Sequence, residues 1–520
     1  MERSAEYGNS IKNGDLCAVI FLAVQAYRTR NFKKILAILL ALVMLVPMLA
    51  ACGKGDDPTV DPDDVIQEET IGIVPPEVDF GGEDFTILCR ESNSWGSWED
   101  EIHSDEQETE VVNQAVYERN LAVSEALGVE IKVIPIPGHW TDAETFTNTF
   151  KNSILSGDGA FDIIVAQQAY MATLANAELY MNMYDVPYVK DDLDSPYFYQ
   201  DLVNELTVNG KLNYLIGDYT ITYMDNINVM YFNKQIAENE NLDDIYQTVR
   251  DGNWTIDKCI ELSKGVYNDL DGNGYKSEND RFGYITDYGN TADGLFSQFD
   301  VQQTRKDDSG NIVADMDVGK VVSILETMIE FYKTDDVFTY ASSSDQTPED
   351  MPFNTIFTED RALFYPDVLS TAKTYRGMET DFGIIPVPKW EGQEKHYTQA
   401  QAGYSVVVIP IDAPDLEKAG AVIDALFAKS EELVIPAYYD MALKGKFARD
   451  NESGEMIDII REGLCINFGF FYDVGGGSMF RVLLGGENSN FASFYAANKK
   501  GYERNLKTIL KTFEDDEEEE

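Results

Sequence analysis

Apolar positions along this chain follow two periods in turn. Phe85-Thr86-Ile87-Leu88 predicts a short strand, and Val112, Val116, Val123 and Leu127 mark one face of a helix that Gly128 stops. Val129, Ile131 and Val133 then alternate with Glu130 and Lys132, the pattern of a half-buried strand. Phe161-Asp162-Ile163-Ile164-Val165 reads as another strand, far enough on for a crossover helix to lie between. Strands alternating with helices imply an open α/β sheet. Such sheets take ligands in the crevice beyond the carboxyl ends of their strands, which points to Gln167 and Gln168, just after Val165.

The pattern continues from Asn209 to Gly283. A turn at Asn209-Gly210 leads into a strand-like run ending at Gly217, and Asn228-Val229-Met230-Tyr231-Phe232-Asn233 is a second β-prone run. Thr255 is placed to cap a helix with Ile256, Cys259, Ile260 and Val266 on one face, while Trp254 staples its start and belongs to a core. Further on, Val318 to Tyr332 predicts a helix, Arg361 to Pro366 and Asp381 to Pro388 predict strands, and Leu416 to Lys429 predicts another helix. Tyr502, Leu506, Ile509, Leu510 and Phe513 mark one face of a terminal helix, and residues 514–520 are an acidic, solvated tail.

The N-terminal region follows different rules. Arg28, Arg30, Lys33 and Lys34 precede an apolar run from Ile35 to Ala51, shorter than the about 20 residues a spanning helix needs, so residues 1–51 are expected to be a secretory signal. Leu49-Ala50-Ala51-Cys52 resembles a bacterial lipobox, which implies lipidation of Cys52 and a membrane-anchored protein facing outside the cytoplasm. Residues 1–30 are more than such a signal needs, as an over-extended gene start would leave them. Residues 53–82 are acidic, carry Pro58, Pro62, Pro75 and Pro76, and read as a flexible tether with folding expected from Phe85 onward.

Composition narrows the function. A chain of 520 residues is long enough for two cores, and its net charge of −52 opposes binding to nucleic acid, whose phosphates need a basic surface. The five cysteines have neither metal-type nor paired spacing. Enzyme signatures are scarce: there are three histidines, no His-Glu-x-x-His pair, no Gly-x-Ser-x-Gly elbow and no phosphate-cradling loop. A pair of glycosidase carboxylates stays open among 92 acidic residues, where abundance makes any pair uninformative.

The order of Gly210-Lys211-Leu212, Met230-Tyr231-Phe232-Asn233-Lys234, Trp254-Thr255, an Asp-rich turn and Phe282-Gly283-Tyr284 resembles the family 1 extracellular solute-binding proteins of ABC importers. Asp381-Phe382-Gly383-Ile384-Ile385-Pro386-Val387-Pro388 and Gly403-Tyr404-Ser405-Val406-Val407-Val408 extend that resemblance, which covers Glu83 to Phe513. It implies a two-lobed, periplasmic-binding-protein-like (type II) α/β fold with an interlobe hinge and cleft. By analogy the first lobe comprises residues 83–218 with 365–430, and the second residues 219–364 with 431–513. It also implies a monomer without chemistry of its own, which captures a sugar or oligosaccharide and delivers it to ABC permease subunits by hinge closure. A surface-anchored glycan hydrolase and a binding protein for peptides or other small solutes are the alternatives.

Two constellations could carry binding. Trp95 and Trp98 lie in a Ser/Asn/Gly-rich loop after the first strand, and Tyr219, Tyr223, Asp225, Tyr365 and Tyr404 lie near the expected crossings between lobes. Sugar C–H faces pack on aromatic rings while sugar hydroxyls need planar donors and acceptors, so these residues and Gln167 and Gln168 are the candidate ligand contacts. The second is Asp269-x-Asp271-x-Asn273-Gly274-Tyr275, continuing through Ser277 to Asp280, which follows the EF-hand Ca²⁺ loop with Asp280 in place of the final Glu. A structural Ca²⁺ held by Asp269, Asp271, Asn273, Tyr275 and Asp280 is one reading, and a plain Asx-rich turn is the other. No cofactor is otherwise required.

Overall fold

The computed structural model describes residues 71–105, 110–340, 352–401, 403–439 and 450–514. The expected signal, Cys52, the tether as far as residue 70 and residues 515–520 of the acidic tail lie outside the described residues. In chain order the strands are β1 (Glu83–Arg90), β2 (Val129–Ile136), β3 (Ile163–Gln167), β4 (Asn228–Asn233), β5 (Phe282–Asp287), β6 (Thr304–Lys306), β7 (Ile312–Ala314), β8 (Val337–Tyr340), β9 (Ala362–Val368), β10 (Phe382–Pro386) and β11 (Ser405–Val408).

The first sheet has the order β11-β3-β1-β2, with β1 parallel to both β2 and β3 and with β11 antiparallel. β3 is interior and buried at every position, as its unbroken apolar run requires, whereas β2 is an edge strand whose outward positions are exposed. The helix Val111–Leu127 packs on this sheet, and its C-cap Gly128 takes the left-handed conformation at φ 61°, where glycine carries no Cβ penalty. The second sheet has the order β10-β4-β9-β5-β8, with β4 antiparallel to both neighbours. Trp254 is fully buried beneath it and donates its indole N–H to the carbonyl of Pro386 at 2.8 Å, while the Thr255 hydroxyl caps the helix Ile256–Ser263. That helix stops before Val266, which is buried in the following turn. The run after Asn209 makes single bridges rather than a strand, with Leu215 pairing to Val407 of β11.

Main-chain pairing moves the lobe boundaries. Residues 365–400 were expected in the first lobe, but Tyr231 of β4 lies opposite Tyr365 of β9 on one side and Ile384 of β10 on the other. The hydrogen-bonded ladder therefore places β9 and β10 in the second lobe. Residues 431–439, expected in the second lobe, stay with the first: Ser430 accepts from Arg119, and the turn Ser430–Val434 packs on the helix Val111–Leu127. The folded chain also starts earlier than Phe85. Val74 is fully buried, and the backbone N–H of Ile73 donates to Asp424 at 3.0 Å.

Candidate functional site

The carboxyl ends of the two sheets meet around the segments that connect them. β1 and β3 end at Arg90 and Gln167, and antiparallel β11 begins beside Gln167 at Ser405. In the second sheet β4 starts at Asn228, level with the ends of β9 and β10. Three connecting segments run side by side here, with Ile227 bridged to Ala400 and Thr398 bridged to Leu464. Gln401 N–H donates to the Asn226 carbonyl at 3.0 Å, Cys465 N–H to that of Thr398 at 3.0 Å, and the Thr398 hydroxyl to that of Asn228 at 2.9 Å. Such laced extended segments form a hinge, because small φ/ψ changes in a few residues can rotate one sheet against the other.

The candidate residues fall into three groups around this hinge. Trp95 and Trp98 flank His139, at centroid distances of 5.7 and 6.0 Å, and Trp140 packs beside that ring at 5.5 Å. Trp95 is 44% exposed and Trp140 55%, so the stack opens onto the surface, while Trp98 is buried over the Arg90 guanidinium at 4.4 Å. Gln167 and Gln168 are buried where β3 ends, and the Gln168 side chain donates to the carbonyl of Phe471, tying the segment after the third connection to the first lobe. The tyrosines serve packing. Tyr219 lies under Arg119, Tyr365 stacks with Phe353, and Tyr223 packs edge-on against Tyr404 at 5.0 Å while donating to the Cys465 carbonyl at 2.6 Å. Asp225 accepts from Tyr438 at 2.5 Å and from Lys373 at 3.4 Å.

A set of amides was missed. Asn228, Gln303, Gln399 and Gln401 are all buried at or beside the hinge, though Asn and Gln are usually exposed. Both side-chain atoms of Gln399, the oxygen of Gln401 and the nitrogen of Gln303 have no partner among the described residues. Gly294, in the helix Asn290–Gln298 that follows β5, lets that helix approach the set; a Cβ there would lie 2.0 Å from the Asn228 amide nitrogen. The sequence carried a signal, since Gln399 and Gln401 alternate immediately before Gly403 and so share one face of an extended segment. Glu101 lies in the first lobe nearby, accepting from the Thr222 N–H at 2.8 Å and hydroxyl at 3.0 Å. Burial pushes its carboxyl up to about 7, against hydrogen bonds from Ser405 and Thr222 that favour the ionised form.

The acidic loop is away from the hinge. Asp269, Asp271 and Asp280 bring carboxylate oxygens within 4.8 Å of one another. Asp269 accepts from the N–H groups of Gly272 at 2.7 Å and Gly274 at 2.9 Å, and Asp280 from those of Leu270 at 3.2 Å and Ser277 at 2.8 Å. Hydrogen bonds, that from Gly274 foremost, hold the Asp269 carboxyl below its ordinary pKa. An all-oxygen donor set suits a hard cation, and these turns also satisfy the loop by themselves.

Two α/β lobes joined by laced connections, with strand ends converging on the hinge, define the periplasmic-binding-protein-like class. Residues 122–436, more than half of the chain, match the bacterial extracellular solute-binding protein family, and the chain belongs to it. The fold is similar to that of the galacto-N-biose/lacto-N-biose I-binding protein of the ABC transporter from Bifidobacterium longum, solved with lacto-N-biose. That likeness has 12% identity, 84% of this chain and 98% of that one covered, and a TM-score of 0.51. The GacH receptor of Streptomyces glaucescens has 12% identity over 82% of this chain and 99% of that one, with a TM-score of 0.50. An ABC transporter solute-binding protein from Thermotoga lettingae, solved with α-D-tagatose, has 12% identity over 82% and 100%, also with a TM-score of 0.50. Comparison with curated proteins gives no match.

Proposed function

We propose that this protein binds a sugar or oligosaccharide between its lobes and delivers it to the permease of an ABC importer, anchored outside the cytoplasm through lipidated Cys52. The observation that carries the reading is the buried, incompletely bonded amide set at the hinge. An unpaired buried amide costs on the order of 1–3 kcal/mol, so Gln303, Gln399 and Gln401 call for a partner that both donates and accepts, as a sugar hydroxyl does. The exposed Trp95 and Trp140 rings offer faces for pyranose C–H groups. Solved proteins of this fold hold lacto-N-biose and tagatose, in keeping with that reading. Closure would follow from differential binding: ligand contacts completed by the second lobe favour the closed population. Asp269, Asp271, Asn273, Asp280 and the Tyr275 carbonyl would hold a Ca²⁺ that stiffens their loop.

One screen tests both parts. Melting temperature is measured against mono- and oligosaccharides, in Ca²⁺ and in EDTA, and the sugar is recovered afterwards. A ligand that binds only the folded state raises the midpoint in proportion to RT ln(1 + [L]/Kd). A sugar-dependent rise with sugar recovered intact, reduced in Gln399→Ala, is the expected result. Cleaved sugar would instead establish the hydrolase, and no shift with any sugar would remove the carbohydrate reading. A rise in Ca²⁺ that Asp269→Asn abolishes is expected for the loop, and equal midpoints in Ca²⁺ and EDTA would leave it a self-satisfied turn.

A further inference from the structure

The first lobe buries positive charge at the end of β1 and within the helix Val111–Leu127. Arg90 and Arg119 are each at most 1% exposed, in a chain whose net charge is −52. Arg119 is fully provided for: it donates to the carbonyls of Glu101 and Ile102, to Ser430 and to Asn120, and it covers the Tyr219 ring at 4.6 Å. Arg90 is not. Its Nη2 donates to the Gly403 carbonyl at 2.7 Å and to the Ser405 hydroxyl at 2.9 Å, while its Nε and Nη1 have no acceptor among the described residues.

The nearby buried carboxyl does not pair directly with either arginine. Glu101 acts on both through space, but its oxygens accept from Thr222 and Ser405, and no carboxylate among the described residues forms an ion pair with either guanidinium. A buried cation without a counter-charge is costly, and proteins keep one where a ligand or partner completes it. Arg90 ends β1, where an open α/β sheet meets its ligand, and its anchors Gly403 and Ser405 are the approach to and the first residue of β11. From there a stack of planar groups, Arg90, Trp98, His139 and Trp95, runs outward to solvent. Trp98 lies over the guanidinium on the loop between β1 and the helix Val111–Leu127.

We infer that the captured solute is an acidic saccharide whose carboxylate binds the unpartnered Nε and Nη1 of Arg90 once the Trp98 ring that covers them moves aside, with its sugar rings against Trp95 and the hinge amides. The inference rests on the proposed sugar-binding function and names the substrate class. A planar guanidinium offers charge-assisted hydrogen bonds to a carboxylate, which a neutral hydroxyl cannot match. No other group in the stack supplies positive charge of comparable permanence. The His139 ring is held below its ordinary pKa, by burial first and then by Arg90 itself, with Asp142 opposing.

Isothermal titration of the full chain with tetragalacturonate, its methyl ester, a sulfated disaccharide and neutral maltotetraose tests this. The free acid should bind on the order of tenfold to a hundredfold more tightly than its ester, the ratio expected of charge-assisted hydrogen bonds. Arg90→Gln should bring that ratio close to one by weakening binding of the free acid far more than binding of the ester. Arg90→Lys, which keeps the charge and loses the planar fork, should retain part of the preference and serves as the readout where the glutamine variant does not fold. Equal binding of acid and ester, or loss of both alike in a folded Arg90 variant, would overturn the inference. A preference for the sulfated disaccharide over the uronate would overturn the carboxylate assignment. Binding of maltotetraose alone would overturn the inference and leave the sugar-binding function standing, whereas no saccharide binding at all would remove both.

Discussion

Asp424 and Asp192 meet at one hydroxyl. Tyr197 donates to Asp424 at 2.7 Å and also contacts Asp192, and a single hydroxyl proton cannot serve two ionised carboxylates. Burial foremost, then repulsion from Asp192, pushes Asp424 up to about 7, against the Ile73 N–H that favours its anion. The folded value lies above the ordinary carboxyl range, so between about pH 4 and 7 the native state keeps a proton that the unfolded chain releases. Stability must then fall as pH rises through that window and level off above it. Glu101, Asp218 and Asp293, each also raised to about 7 by burial, act in the same direction. Urea unfolding should give a higher midpoint at pH 5 than at pH 8, and Asp424→Asn should flatten that dependence by on the order of 1–3 kcal/mol. An unchanged slope in the variant would place the titration elsewhere.

Elements differ in how much of their geometry is local. The helices Val318–Tyr332 and Leu416–Lys429 have the bounds their sequences predict, because the apolar stripe of the first, the continuous buried run of the second and the Asp caps of both are local to each segment. The helix Asn290–Gln298 owes its position to a neighbour. It presses on the hinge at Gly294, where any side chain would overlap the Asn228 amide. Gly294→Val should therefore cost about 1–3 kcal/mol of stability from overpacking and should weaken ligand binding more than Gly→Val does at half-buried, helical Gly501, where a Cβ would meet nothing within 4 Å. Calorimetric unfolding and titration of both variants check this; equal losses in binding would mean that the approach of this helix to the hinge has no functional weight.

At the scale of the whole molecule, the terminal helix Phe491–Leu510 joins the lobes a second time. Phe491, Tyr495 and Tyr502 pack in the core of the second lobe, while at the other end Thr512 donates to Asn176 of the first lobe at 2.6 Å. Phe513 is fully buried, at 6.1 Å from the Tyr472 ring, and its carbonyl accepts from Asn209 at 3.2 Å. Phe513→Ala should lower stability by about 3–5 kcal/mol and free the lobes to separate, since it removes the anchor on one side only. Small-angle scattering should record a larger radius of gyration for the unliganded variant than for the parent. An unchanged radius would show that the hinge segments alone hold the lobes.

The sequence by itself determined the local vocabulary: the strands around Phe85, Val129 and Ile163, the left-handed stop at Gly128, the Thr255 cap and Trp254 as a core residue. Each follows from side chains within about one helical turn or one strand of each other. The order of short motifs was enough for the family and hence for two lobes. Only the tertiary structure decided which lobe each segment joins, because β4 pairs with β9 and β10 across more than a hundred residues, and a strand's period says nothing about its partner. The same holds for the candidate site. Tyr219, Tyr365 and Tyr404 look like binding aromatics in a linear reading and are packed as core, while Arg90, Gln399 and Gln401 look like ordinary polar residues. Their unmet hydrogen bonds exist only because burial removes the water that would otherwise satisfy them.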